Sequence, residues 1–489
     1  MSVSTEKLRG SIGVAGIVFL VVAAASPLTT VAGSLPVMIA LGNGAGAPLT
    51  YVIAAAVLLV FSIGYAAMSS AVTDTGAFYA YVTKGLGSNL GVGAAGLAVF
   101  AYTTIQAGVY GLAANTIGSL VVEYGGPDLP WWVWAFVLMA LVGLVGYRNI
   151  SVGAKVLGVL LILEVVAVIA LSVGVLVKGG AHGIDFTSFT PDSFLSGSPG
   201  IAMMFAIGSF VGFEATAIYS EEAKDPKRTV PLATYVAIIV IGVLYAVSSW
   251  AVVLAYGSAD VSAAANQDTA NLTFNAAAQY LSPAAADAMA IMLVTSLFAT
   301  LLAFHSAISR YFFALARRGY APRRLAEVHD THGSPHIGSL LQSASAVVLV
   351  GIFAIVGADP VLQLFTWMAG IAIVAILALM VLTSFAIIAY FWRTNDDNRL
   401  WHTRIAPLLG SLGLIAITGL VLDNFTTLMG GSQTIADVFL ATTVAVFVGG
   451  VLAGVVVHRR RATTLPPAAV TPHAIQPDPI LEETTTHAE

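Results

Sequence analysis

Residues 199–231 read PGIAMMFAIGSFVGFEATAIYSEEAKDPKRTVP, and the interpretation of this stretch decides the fold. The apolar run is of membrane length, yet Gly208, Ser209 and Gly212 interrupt it at mid-depth, Glu214 puts an acid inside it, and a dense charge cluster ends it. A plain membrane anchor has no use for that combination. Hydrocarbon offers no water to stray backbone N–H and C=O groups, so a helix broken at its middle is tolerated only where protein or an aqueous cavity satisfies the freed groups. The break marks a place where something polar can bind.

The rest of the chain has the composition that such a helix needs around it. Its 489 residues are 58% hydrophobic and only 9% charged, with a mean hydropathy of +0.90, which excludes a soluble fold of this length. There is no cysteine, so disulfides and thiolate metal sites are excluded. A window of about 20 residues, the length that crosses hydrocarbon, finds twelve candidate spans near 12–42, 49–72, 92–122, 131–147, 156–177, 199–220, 231–256, 285–315, 336–357, 361–391, 405–423 and 434–457. If Lys7 and Arg9 are cytoplasmic and sides alternate, 19 of the 20 basic residues fall inside and only Lys178 falls outside. So strong a bias in short loops sets the orientation, with both termini cytoplasmic. The outer loops carry Glu123, Asp128, Asp185, Asp192, Asp260, Asp268 and Asp359.

The ends are read separately. Residues 1–10 form a cytoplasmic N-terminus. Lys7, Arg9 and the small residues Ala23, Ala24 and Ala25 resemble a signal peptide, but Pro27 follows at once and the apolar run continues through Ile39, which argues against cleavage. Residues 462–489, rich in Thr, Pro, Ala and Glu, are expected to be a disordered cytoplasmic tail.

A second break matches the first. Around Ala25, Ser26, Pro27, Leu28, Thr29 and Thr30 the proline removes a helix hydrogen bond and clashes with the preceding turn. Five spans separate the starts of the two broken helices, so one runs outward and the other inward, relating spans 1–5 (about 11–178) to spans 6–10 (about 199–392) by inversion. Two extra helices occupy about 404–457. Interrupted segments at matching positions of inverted halves point to a midplane transport site. The half-helix after Pro27 offers free N–H groups to an anion, and the half-helix ending near Ser209 offers carbonyls to a cation. A zwitterion fits between them, and the predicted binding residues are Ser26, Pro27, Leu28, Thr29, Thr30, Gly208, Ser209, Phe210 and Gly212.

These residues carry a family resemblance. Phe210-Val211-Gly212-Phe213-Glu214, Glu221-Glu222 and Lys224-Asp225-Pro226-Lys227-Arg228-Thr229-Val230-Pro231 resemble the sixth-helix signature of the amino acid-polyamine-organocation (APC) permeases. Gly76-Ala77-Phe78-Tyr79 and the segment from Ser309-Arg310 to Ala321-Pro322 resemble two further family motifs. The resemblance covers about residues 8–460. It implies an all-α membrane fold of twelve helices, with two inverted five-helix repeats, discontinuous helices 1 and 6, and alternating-access transport of amino acids or related amines. Members usually place G-x-G in the first break, where this chain has Ser26-Pro27-Leu28-Thr29-Thr30. The loss of a donor at Pro27 raises the case for an amine without a carboxylate.

Ionisable residues inside a membrane are functional candidates because they are costly in hydrocarbon. Glu164 lies in the fifth span, where the resemblance implies a lysine in several members and Glu in others; it is read as a proton carrier, or as a carboxyl bonded to a neighbouring helix. Glu214 is read as a cap for the second half-helix, a proton carrier, or both. Tyr102, Gln106 and Tyr110 recur every four residues on one helix face; Tyr102 and Gln106 are predicted to line the cavity, with interhelical bonding as the alternative. His305 reads equally as a pathway residue and a structural one. Trp367, Phe298 and Phe210 are gate candidates by residue type alone. The cluster from Glu221 to Arg228 reads as a solvated turn or an inner gate pairing with Asp74, Arg148 or Arg317.

The expectation is a secondary transporter in the plasma membrane, not an enzyme, that imports an amino acid, with a neutral one favoured, by proton-coupled alternating access through Glu164 or Glu214. Sodium coupling is less favoured, and no cofactor, metal or nucleic acid is expected; the partners are the substrate and the lipid bilayer. A polyamine or small-amine transporter and an amino acid exchanger remain open within the same fold, and a passive channel within another class. An intramembrane hydrolase is disfavoured, since none of the nine histidines forms H-E-x-x-H.

Overall fold

The computed structural model describes residues 12–72, 77–148, 154–218, 223–329 and 333–464. All regular structure among these residues is helical, apart from one isolated parallel bridge between Ile12 and Ala223. Helix α1 (Val14–Ala25) stops at Ser26, and a π-helical turn at Thr29–Ser34 leads into α2 (Leu35–Leu41). Next come α3 (Ala47–Ala71), the short α4 (Ala77–Leu86), the long α5 (Ser88–Glu123), α6 (Trp131–Tyr147) and α7 (Ala154–Lys178). A loop carrying α8 (Pro191–Leu195) reaches α9 (Pro199–Ser209), which ends early and is followed by the single turn α10 (Ala215–Ile218). Helix α11 (Pro226–Tyr256) precedes two short helices, α12 (Val261–Gln267) and α13 (Leu272–Tyr280), and then α14 (Pro283–Arg317) and α15 (His336–Ile355). Two π-helical turns introduce α16 (Thr366–Thr394) and α17 (Ala406–Asp423), and α18 (Phe425–Leu428) leads to α19 (Gln433–Thr464).

Ten helices among the described residues are long and apolar enough to cross a membrane, while α6 and α9 are apolar but shorter. The chain is a multi-pass membrane protein. Boundaries follow the sequence reading with local differences. The span expected at 92–122 begins at Ser88, and α4 stands apart from it because Gly87, at φ 101°, turns the chain between them. Short helices α8, α12 and α13 were not expected, because they are too short and too polar to register as spans.

Helix α7 shows how burial sorts the surfaces. Val159, Ile162, Val166, Ile169 and Val173 recur at helical spacing and are all exposed, the pattern of a lipid-facing stripe. Leu161, Glu164, Val168, Leu171 and Val175 form the opposite, buried stripe. Glu164 is thus carried inward by the same periodicity that sends the valines and isoleucines to lipid. Inside, lipid tails are as apolar as leucine, so helices associate through close packing and polar ties. Helices α5 and α19 meet closely at paired glycines: a Cβ on Gly450 would lie 2.8 Å from Gly93 Cα. Around the α9–α10 turn the core is aromatic, with Tyr51, Phe61, Tyr65, Phe210, Phe213 and Tyr245 fully buried.

Candidate substrate and proton site at the helix breaks

The first break is one residue wide. Ser26 sits at φ 45°, ψ 74°, a left-handed conformation that non-glycine residues rarely take. The helix resumes at Pro27, whose fixed φ and missing N–H suit a first helical position. Thr30 N–H already bonds Ser26 carbonyl, at 3.1 Å. The first-turn amides left over are therefore those of Leu28 and Thr29, because Pro27 has none.

The hydroxyls at this break are also engaged, all but one across to α14. Ser26 Oγ lies 2.9 Å from Thr300 Oγ1, and Thr29 Oγ1 lies 3.2 Å from Ser296 Oγ. Ser296 Oγ donates to Glu164 Oε2 at 3.0 Å. Thr29, Ser296 and Glu164 thus form a continuous polar chain joining the π-helical turn, α14 and α7. Thr30 Oγ1 turns back to the Ala25 carbonyl, at 3.5 Å, where Tyr245 also donates its hydroxyl at 2.8 Å. Ser296, Thr300 and Tyr245 were missed in the sequence. Serine and threonine four apart on an apolar helix were visible, but such hydroxyls commonly bond their own helix, and no local signal names the helix they face.

The second break runs from Ser209 to Ala215. Helix α9 ends at Ser209, whose Oγ donates to the Phe205 carbonyl at 2.9 Å and lies 3.4 Å from Tyr51 Oη. The carbonyls of Ile207, Gly208 and Phe210 accept turn amides from Phe210, Val211 and Phe213. Gly212 takes φ 111°, and a Cβ there would lie 3.0 Å from Ala24 Cβ, so this turn abuts the end of α1. A Cβ at Gly208 would meet Ile373 Cδ1 of α16 at 3.2 Å. Phe210 is fully buried against Tyr245, with ring centroids 6.1 Å apart, so it packs the scaffold of the break.

Glu214 holds this turn together. Its Oε2 accepts the Gly212 N–H at 2.8 Å and its Oε1 accepts the Tyr102 hydroxyl at 2.9 Å, while Tyr65 donates to its backbone carbonyl at 2.9 Å. The capped amide lies upstream in the turn and not in the following half-helix, as had been expected.

The α5 stripe diverges. Tyr102 reaches Glu214, but Gln106 is completely buried, donating to the Leu301 carbonyl at 2.9 Å and accepting from Gln342 of α15. Gln106 is a tie between α5, α14 and α15. His305 is buried with Nε2 2.7 Å from Ser339 Oγ, the structural alternative. Trp367 packs against Phe353 and Phe439, and Phe298 is partly buried against the core. Asp74, Glu221 and Glu222 lie outside the described residues, so the expected inner ion pairs involving them do as well.

A cavity of about 850 Å³ opens between the end of α5, the start of α14, α13 and the π-helical turn before α16. Glu123, Asp128 and Asp287 line it, and among the described residues no Lys, Arg or His does. Its floor includes Gly33, Leu112 and Leu293. Leu293 precedes Ser296, and Gly33 follows Thr29, by about one helical turn, or roughly 5 Å of rise. The polar chain to Glu164 therefore lies just below this vestibule. Toward the other end, the Tyr102 and Tyr311 rings meet tilted at 5.8 Å, the Tyr311 and Tyr79 rings meet tilted at 5.9 Å, and the Arg318 guanidinium lies 5.1 Å from the Tyr79 ring. Among the described residues, no group of three His, Cys, Asp or Glu gathers to hold a metal ion.

Known proteins share this sequence pattern. The chain is 29% identical over 253 residues to the aromatic amino acid transport protein AroP of Escherichia coli (strain K12), a match that covers 49% of this chain and about half, 52%, of that protein. It is 22% identical over 402 residues to the branched-chain amino acid permease BcaP of Bacillus subtilis (strain 168), covering 78% of this chain and 81% of that protein. It is 22% identical over 385 residues to the low-affinity putrescine importer PlaP of Escherichia coli (strain K12), covering 76% and 80% respectively. These relatives are transporters and not enzymes. The amino acid permease family model matches residues 16–464, and the chain belongs to the amino acid permease family.

Proposed function

We propose that the chain is a twelve-span secondary transporter of the plasma membrane, built on inverted repeats with both termini cytoplasmic, that imports a neutral amino acid by proton-coupled alternating access. The observation that carries this reading is the polar chain Thr29–Ser296–Glu164, which ties the first break to a buried acid just below an open vestibule. Substrate entering from the vestibule displaces the Thr29 hydroxyl from Ser296 and takes it, with the Leu28 and Thr29 amides, as donors for its carboxylate. Glu164, whose bridge to Thr29 through Ser296 is then broken, takes up a proton. Rocking of the breaks against α14 then exposes the substrate to the other side.

A small amine is the second reading, and a specific observation favours it. Among the described residues every charged residue lining the vestibule is acidic, and a cleft of one sign concentrates ligands of the other.

Thermal shift of the purified protein with aromatic amino acids, branched-chain amino acids and putrescine, followed by uptake into proteoliposomes at clamped voltage, separates the readings. A ligand present at 100 times its Kd stabilises the protein by about 2.7 kcal/mol. A shift by a neutral amino acid, with accumulation driven by an alkaline interior, is the expected result. A shift by putrescine alone moves the assignment to the amine, and uptake that ignores the pH gradient refutes proton coupling.

A further inference from the structure

The π-helical turn of the first break, Thr29–Ser34, has one carbonyl that its own helix does not serve. The bond that closes the turn runs from the Leu35 N–H to the Thr30 carbonyl, five residues back. For the next carbonyl, that of Val31, helical register offers two donors: Leu35, whose N–H bonds Thr30, and residue 36. That residue is Pro36, which has no N–H. Val31 is only 1% exposed. Hydrocarbon brings no water to a stray carbonyl, so a donor has to reach it from elsewhere in the fold.

Thr273 brings that donor. Its hydroxyl donates to the Val31 carbonyl at 2.7 Å from a position 242 residues along the chain, and its side chain is fully buried. Thr273 belongs to α13, whose Phe274, Asn275 and Ala278 line the vestibule. Two tyrosines seat α13 on α11: Tyr256 donates its hydroxyl to the Leu272 carbonyl at 2.6 Å, and Tyr280 donates to the Ala255 carbonyl at 3.1 Å. The turn is thus held on three sides. Thr29 meets Ser296 of α14 at 3.2 Å, Val31 meets Thr273, and Gly33 lies under Leu112 of α5, whose Cδ2 would be 2.8 Å from a Cβ there.

We propose that Thr273 is a positioning residue of the first break: its hydroxyl stands in for the amide that Pro36 lacks and holds the π-helical register that aims Thr29 at Ser296. The seating of α13 at the vestibule therefore sets the geometry of the site beneath it. Without the hydroxyl, the Val31 carbonyl stays unpaired or turns toward vestibule water, and a turn that rotates to do so carries Thr29 off Ser296. The role rests on the proposed function only in taking Thr29 as a donor to substrate.

The chain has no cysteine, so a single introduced thiol reports on the turn. Ala32 follows Val31, lines the vestibule and is 4% exposed. The full chain carrying A32C is placed in nanodiscs, and its labelling by a charged methanethiosulfonate is timed alone and with T273V, T273S, P36A or T273V/P36A. T273V keeps the shape and removes the donor, and should speed labelling roughly tenfold, the scale of a buried acceptor left unpaired. T273S should label at the rate of A32C alone. P36A restores an N–H in register with Val31, so T273V/P36A should return to that rate, whereas a residue that merely packs would not be rescued from Pro36. Where T273V does not fold, recovery of folded protein in T273V/P36A is the supporting result and its failure the opposing one. Labelling needs no substrate, so a wild type that ignores the pH gradient refutes proton coupling and leaves this readout standing. Equal labelling with and without the Thr273 hydroxyl overturns the proposal, as does a T273V effect that P36A leaves in place or a P36A effect that is the same in both backgrounds.

Discussion

Replacing Glu164 by glutamine removes a titrating group while preserving shape and an acceptor oxygen. In the structure Glu164 is about 5% exposed, and its Oε2 accepts the Ser296 hydroxyl at 3.0 Å. A hydrogen bond to a charged group contributes about 1.5–3 kcal/mol and a neutral one about 1 kcal/mol. The substitution therefore costs at most about 2 kcal/mol at this contact, too little to unfold a bundle of this size. The effect on transport is far larger. A pH difference of one unit corresponds to about 1.4 kcal/mol per proton, so a one-proton symporter at zero voltage accumulates substrate about tenfold. In proteoliposomes with voltage clamped and the interior one unit more alkaline, the wild type should approach that ratio. E164Q should equilibrate at a ratio of one while still exchanging labelled for unlabelled substrate across the membrane. Accumulation by E164Q equal to that of the wild type would remove Glu164 from coupling and refute the reasoning built on the Thr29–Ser296–Glu164 chain.

Two further outcomes follow from local geometry. Gly212→Ala places a side chain at φ 111° and sets its Cβ 3.0 Å from Ala24, so thermal unfolding should show a loss of roughly 1–3 kcal/mol together with slower transport; wild-type stability would mean that the turn relaxes without strain. On the loop between α7 and α9, partial burial pushes the Asp185 carboxyl up, but hydrogen bonds from the Thr187 N–H and from the hydroxyls of Thr187 and Ser258 outweigh it and hold the group below its ordinary range. A carboxyl depressed in the folded state stabilises above its unfolded pKa, and that contribution fades as pH falls through the lower folded value. Protease nicking of this loop should rise in the wild type as pH drops below about 4, measured with an acid-active protease, and D185N should be nicked at a pH-independent, higher rate. An identical pH profile in D185N would show that Asp185 does not hold the loop.

Much of this molecule is written locally. Both helix breaks were legible because proline at 27 and glycines at 208 and 212 act on their own backbone, whatever surrounds them. The buried stripe of α7 that carries Glu164 and the exposed stripe of valines and isoleucines were not drawn from the sequence, although they share one helical periodicity. The partners of those residues were not legible. Tyr102 and Gln106 share a face of α5, yet one reaches Glu214 and the other Gln342 and Leu301, because a 36-residue helix crosses different neighbours along its length. Capping by Glu214 was anticipated, but which amide it caps depends on the turn that Gly212 makes.

The all-helical membrane class, the charge asymmetry and the helix-breaking residues Pro27, Gly208 and Gly212 were determined by the sequence by itself, since each depends on hydropathy, on charge or on the backbone limits of single residues. Only the tertiary structure decided what the breaks face. Ser296 and Thr300 stand more than 260 residues from Thr29 and Ser26 and meet them only because α14 packs beside the first break. Contacts of that span are set by how whole helices dock, and close packing in lipid depends on the summed shapes of many side chains, which no local run of residues encodes.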